Sequence, residues 1–113
     1  MNDKSDAKTA RIRELNDALR VHGTGGRVML TVGIQALGQE KIRKIMDAIR
    51  AFNEYTEDND PYSERDFAKV VVDGVKVFYK IDYYDTKLEY ASPDPADPTL
   101  TCRVMTIMLA SEY

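Results

Sequence analysis

The sequence predicts an α+β domain in which a mainly antiparallel sheet of about four strands carries two amphipathic helices on one face. Three observations carry that expectation. Phe67 to Tyr84 spells a β-hairpin around Asp73-Gly74, a dipeptide suited to a type I′ turn, whose twist matches that of its strands. Residues 38–52 set Ile42, Ile45, Met46, Ile49 and Phe52 along one side of a helix. The order helix, strand, helix, hairpin, strand then leaves one apolar sheet face for the helices to cover. At 113 residues the chain is a single domain, with residues 1–5 read as an unstructured leader.

The first helix is expected from Ser5 or Asp6 to about Val21. Ile12, Leu15 and Leu19 form its apolar stripe, Ala18 widens it, and Arg13, Asp17 and Arg20 are assigned to the wet surface. His22-Gly23-Thr24-Gly25-Gly26 ends it, with Gly23 at the left-handed terminating position and His22 an exposed helix-end residue. A phosphate loop is set aside, because such loops follow a strand and open a helix, and here the order is reversed and the lysine is missing. Arg27 to Ile34 alternates Val28, Leu30, Val32 and Ile34 on one face and is read as a well-buried strand, with Gly33 as a bulge or its end. The second helix carries Lys41, Arg43, Lys44 and Arg50 on its outer surface.

Across the Asp73-Gly74 turn the register predicts Val72 opposite Val75, Val70 opposite Val77 and Ala68 opposite Tyr79, with Ile81 continuing that buried row. The other face pairs Val71 with Lys76, Lys69 with Phe78 and Phe67 with Lys80, and is left open. Ser92 to Pro98 holds three of the four prolines and reads as a stiff, ordered connection. Cys102 to Ala110 reads as the closing strand, although Leu100, Val104, Ile107 and Met108 also fit a helical face. Cys102, the single cysteine, is read as a small buried hydrophobe and has no internal disulfide partner.

Charge is unevenly laid out. The first 50 residues hold 10 Lys+Arg against 6 Asp+Glu, and the other 63 hold 6 against 13, for a net −3. That balance argues against sequence-independent DNA binding, which rests on cations neutralising phosphates. No apolar run approaches the ~20 residues of a membrane span, and the start MNDKSDAK has no signal-peptide core, so a cytoplasmic protein without membrane contact is expected.

The acids gather in Asn53 to Asp66. Asp58, Asp60 and Glu64 are spaced like the opening ligands of an EF-hand, but Ser63 stands where the glycine belongs and Lys69 where the bidentate acid belongs. They remain weak metal candidates, and no cofactor is expected. The expected contact surface for a protein partner with a basic surface is Tyr55, Glu57, Asp58, Asp60, Tyr62 and Glu64 with Asp82, Tyr84 and Asp85, since tyrosine suits interfaces and complementary charge speeds association.

TARIRELNDALR, GGRVMLTVGI, FNEYTEDNDPYSERDF, KIDYYD, SPDPADP and VMTIMLASEY together resemble a family of short, mostly proteobacterial proteins that carries only a domain-of-unknown-function label. The resemblance runs from about Thr9 onward and is most specific in KIDYYD and SPDPADP. It implies a stand-alone cytoplasmic protein, often encoded on mobile elements, and defines no catalytic residue. The expected function is therefore a non-enzymatic binding module, in its most concrete form an inhibitor of a host nucleic-acid-handling defence complex of the anti-CRISPR or antirestriction type. One alternative is a small divalent-metal enzyme built on Asp58, Asp60, Asp82 and Asp85. Another is nucleic-acid contact through the cations of the second helix, and a homodimer is left open.

Overall fold

The structure, a computed structural model, describes residues 3–113, with side chains from Asp6 onward. Helix α1 (Asp3–His22) leads into strand β1 (Arg27–Leu30), the short helix α2 (Val32–Gln35) and helix α3 (Gln39–Ala51). A long loop then reaches the hairpin of β2 (Phe67–Val72) and β3 (Val75–Tyr84), and a second loop reaches β4 (Cys102–Leu109), which ends in a 3-10 turn over Ala110–Glu112. The sheet order is β1-β4-β3-β2, antiparallel except where β1 runs parallel to β4.

The hairpin adopts the predicted register at all six pairs from Phe67↔Lys80 to Val72↔Val75. Asp73 and Gly74 both have positive φ (50° and 80°), as a type I′ turn demands. Ala68, Val70, Val72, Val77, Tyr79 and Ile81 are buried on one face, where Met105 and Ile107 of β4 continue the layer. Leu19 of α1, Ile34 of α2 and Ile45 and Ile49 of α3 close over them. Phe67, Lys69, Val71, Lys76, Phe78 and Lys80 lie on the opposite face, which no helix covers; there Phe67, Phe78 and Tyr113 meet ring to ring at 5.0–5.5 Å.

α3 is flanked by Gly38 at its N-cap and Phe52 at its C-cap, where the chain turns extended (φ −63°, ψ 129°), close to the bounds its pattern predicts. α1 ends as expected: Gly23 has φ 71° and its N–H closes on Leu19 O at 2.9 Å, while His22 is exposed. Gly26 is required for a different reason, since a Cβ there would lie 2.5 Å from Arg103 O and 2.9 Å from Leu19 Cδ2. The helix starts earlier than Ser5, so residues 3–5 are helical rather than an unstructured leader, and Met1 and Asn2 lie outside the described residues.

Three other expectations are corrected. The strand read over Arg27 to Ile34 stops at Leu30, because Thr31 acts as the N-cap of α2, its Oγ1 accepting from Ile34 N. The Glu112 carboxylate holds this turn, accepting from Thr31 Oγ1 (2.7 Å), Leu109 N (2.8 Å) and Gly33 N (3.2 Å), and these bonds keep it ionised to lower pH than an ordinary glutamate. Strand β1 is also an exposed edge, not a buried one, with Val28 37% and Met29 53% accessible. Cys102 is only half-buried, at the start of β4, and is free.

Burial sets the cost of side-chain loss. Ile107→Ala, at a site with no solvent access, is expected to lower unfolding free energy by about 2–5 kcal/mol, whereas Val32→Ala should stay within about 0.5 kcal/mol. Urea denaturation midpoints of the two variants measure the contrast.

Candidate functional site

Helix α1 carries more than an apolar stripe. Asn16 has no exposed surface and Arg20 is 5% exposed, which corrects the assignment of Arg20 to the wet face. Arg20 Nη1 donates to three main-chain carbonyls at the end of α3, Ile49 (2.8 Å), Arg50 (3.1 Å) and Phe52 (3.1 Å), and Nη2 donates to Asp17 (3.2 Å). A cation there satisfies acceptors that the helix leaves unpaired and meets the negative end of its dipole.

A second buried guanidinium, Arg103 of β4, is 1% exposed. Its Nε donates to Asn16 Oδ1 (2.7 Å), its Nη2 to Pro95 O, and its plane lies 5.1 Å from the Tyr83 ring. Asn16 Nδ2 in turn donates to Glu64 O (3.0 Å) and to Tyr83 Oη (2.7 Å), and the Tyr83 hydroxyl donates to Glu64 Oε1 (2.7 Å). Beside this chain Tyr79 Oη donates to Arg65 O (2.8 Å) and lies 2.6 Å from Tyr55 Oη, so the single proton of Tyr55 closes that pair. Burial raises all three phenols above the ordinary tyrosine range and keeps them as hydrogen-bond donors.

These contacts redistribute the predicted surface. Tyr55 points its hydroxyl inward, between the guanidinium groups of Arg65 (5.0 Å from its ring) and Arg20 (5.6 Å). Asp60 is buried and accepts from Arg65 N (3.0 Å), and Glu64 is held by Tyr83. Asp85 folds its own loop, accepting from Lys87 N (3.2 Å) and Glu89 N (3.0 Å). Asp82 stands on the uncovered sheet face beside Lys80 (3.4 Å), with Tyr84 at the end of the same row. Glu57, Asp58 and Tyr62 do face solvent, together with Glu54. The weak metal candidates are thus drawn apart, and among the described residues no group of three or more His, Cys, Asp or Glu is placed to hold an ion.

The cations of α3 are also partly spent. Lys41 and Lys44 share Asp73 Oδ2 in the hairpin turn, and Arg50 reaches Asp47 at 3.4 Å. The two lysines hold Asp73 ionised below the ordinary carboxylate range. A cavity of 460 Å³ opens between α1 and the acidic loop, with Arg13, Tyr55, Glu57, Asp60 and Arg65 in its wall. Its cations are already bound, Arg13 to Ser63 O (3.0 Å) and Arg65 to Asp17 (2.9 Å). No helix among the described residues is long and apolar enough to cross a membrane.

A family model described as "Protein of unknown function (DUF3768)" matches residues 30–112. The chain belongs to this family. The match starts at Leu30 rather than near Thr9, so α1 lies ahead of it, while the strands and loops that α1 ties together fall inside. No curated protein and no solved structure matches the chain. Sequence reasoning missed Asn16, Arg20 and Arg103; the one available signal was a polar triad, Asn16, Asp17 and Arg20, beside an unusually narrow apolar stripe.

Asn16→Ala would leave Arg103 Nε without its acceptor and Glu64 O without its donor, and is expected to destabilise by about 1–3 kcal/mol for each group left unpaired. Guanidinium chloride titration measures it. Asp66 offers a test of pH dependence, because its half-buried carboxyl is raised above the ordinary aspartate range, first by burial and then by neighbouring Glu64, Asp60 and Asp82. A raised carboxyl pKa means that the folded state prefers the protonated form, so ionisation costs stability as pH rises through the folded value. Asp66→Asn should therefore gain stability near neutrality and lose that gain at acid pH, below the unfolded value.

Proposed function

We propose that the protein is a non-enzymatic binding module whose acidic loop, residues 53–66, docks on a basic protein surface. The carrying observation is a loop held in shape from inside while three of its carboxylates, those of Glu54, Glu57 and Asp58, face out. Thr56 N donates to Asn59 Oδ1 (2.8 Å), Asn59 Nδ2 to Glu54 O (2.9 Å) and Asp60 N to Thr56 O (2.8 Å). Asp60 and Glu64 are anchors, so Glu54, Glu57 and Asp58 stand free of ion pairs among the described residues, with Tyr62 77% exposed beside them. A preorganised loop loses little conformational freedom on binding, and its charge gives rapid, salt-sensitive association. A nucleic-acid-handling defence complex, whose DNA groove is lined with cations, has the charge that such a loop complements.

The test is recovery of the protein from its own cells at low salt, beside the double variant Glu57→Lys, Asp58→Lys. The expected outcome is a basic partner that elutes with rising salt and is missing with the variant. Identical co-purified proteins from both forms would refute the assignment.

A further inference from the structure

Strand β2 is an outer strand of the sheet, with β3 on one side only. Ile81 N donates to Asp66 O at 2.7 Å, which sets the phase of the ladder: Ala68, Val70 and Val72 exchange bonds with β3, and the peptide groups of Phe67, Lys69 and Val71 turn outward. None of those three outward groups enters a loop or side-chain hydrogen bond among the described residues. The edge also has few of the usual protections. It contains no proline, carries one charge, Lys69, and ends in three valines, of which Val71 is 57% exposed.

Alongside this edge lies a groove of 490 Å³, in which Phe52, Glu54, Asp58 and Asn59 face Phe67 and Lys69. Its floor is apolar and its far rim is acidic. We propose that the groove receives an extended segment of a partner protein as a fifth strand beside β2, with basic and apolar residues alternating along it. The outward N–H and C=O groups of Phe67, Lys69 and Val71 would pair with its backbone. Alternate side chains would lie on opposite sides of the new strand, cations toward Glu54 and Asp58 and apolar groups over Phe67 and Val71. This rests on the acidic-loop reading and adds the mode of recognition to it. A second copy of the chain fits less well, since pairing β2 with itself about a two-fold axis at Lys69, the middle of the three outward residues, sets Lys69 against Lys69.

The probe is the peptide acetyl-Lys-Val-Lys-Thr-Lys-Val-amide, titrated into the full chain at low salt, with a version N-methylated at alternate residues to remove half its backbone donors. The expected result is binding that slows hydrogen exchange of the Phe67, Lys69 and Val71 amides. The N-methylated peptide, or the exposed double variant Glu54→Lys, Asp58→Lys, should weaken it at least tenfold. Val71→Pro, which removes an outward donor and no hairpin bond, should weaken it similarly; its β-hairpin is verified by amide spectra. Equal binding of both peptides without protection of β2 would overturn strand addition while leaving the acidic-loop reading standing. No binding of either peptide would overturn the proposal. So would a concentration-dependent dimer, without peptide, that Val71→Pro abolishes, because the edge would then be a seam between copies.

Discussion

Two guanidinium groups sit almost out of reach of water, and the fold is arranged around the hydrogen bonds each one makes, with Arg20 Nε left as a buried donor without a partner among the described residues. A buried cation left unpaired is far more costly than a missing contact in an apolar core, so its acceptors constrain the backbone around it. Arg20 gathers the last carbonyls of α3, and this locks the crossing of α1 and α3. Arg103 gathers Asn16 from α1 and Pro95 from the proline-rich loop, and through Asn16 reaches Tyr83 and the main chain of Glu64. One polar seam therefore joins both long loops to the first helix.

That seam explains how loops with little regular structure become ordered. The segment from Ser92 to Thr99 is built of short turns in which Ser92 Oγ accepts from Asp94 N, Asp94 Oδ1 from Ala96 N and Asp97 Oδ1 from Thr99 N. Arg103 pins its centre. The acidic loop is tied at Asn16, Arg65, Tyr79 and Tyr83, which leaves only its tip available for outside contacts. The same architecture divides the sheet: one face is sealed under three helices, and the other shows lysines and rings to solvent. The acids that crowd residues 53–66 are thereby sorted into anchors and a small outward set.

The hairpin, the second long helix and the closing strand were legible because each rests on a local signal. Asp73-Gly74 determines a turn and a turn of two residues determines a register; the spacing of Ile42, Ile45, Met46 and Ile49 determines which side of a helix is apolar. Reading failed where a local pattern had two readings. Val28 to Ile34 alternates like a strand, yet Thr31 is a better cap than strand residue once Glu112 lies over it from 81 positions away. The candidate surface divided in the same manner: Glu57, Asp58 and Tyr62 point outward as expected, while Tyr55 and Glu64 turn in toward tyrosines of β3 and Asp60 toward the main chain of Arg65.

What the amino-acid sequence determined by itself is the class of fold, the buried row from Ala68 to Ile81 and the excess of acid in the second half, because period and turn chemistry act between near neighbours. Only the tertiary structure decided which polar residues are interior. Arg103, Asn16 and Arg20 look like surface residues in any short window, and become core residues because partners as far as 29 to 87 positions away converge on them. Burial of a polar group is licensed by its partners, and those partners are brought together by the folded chain.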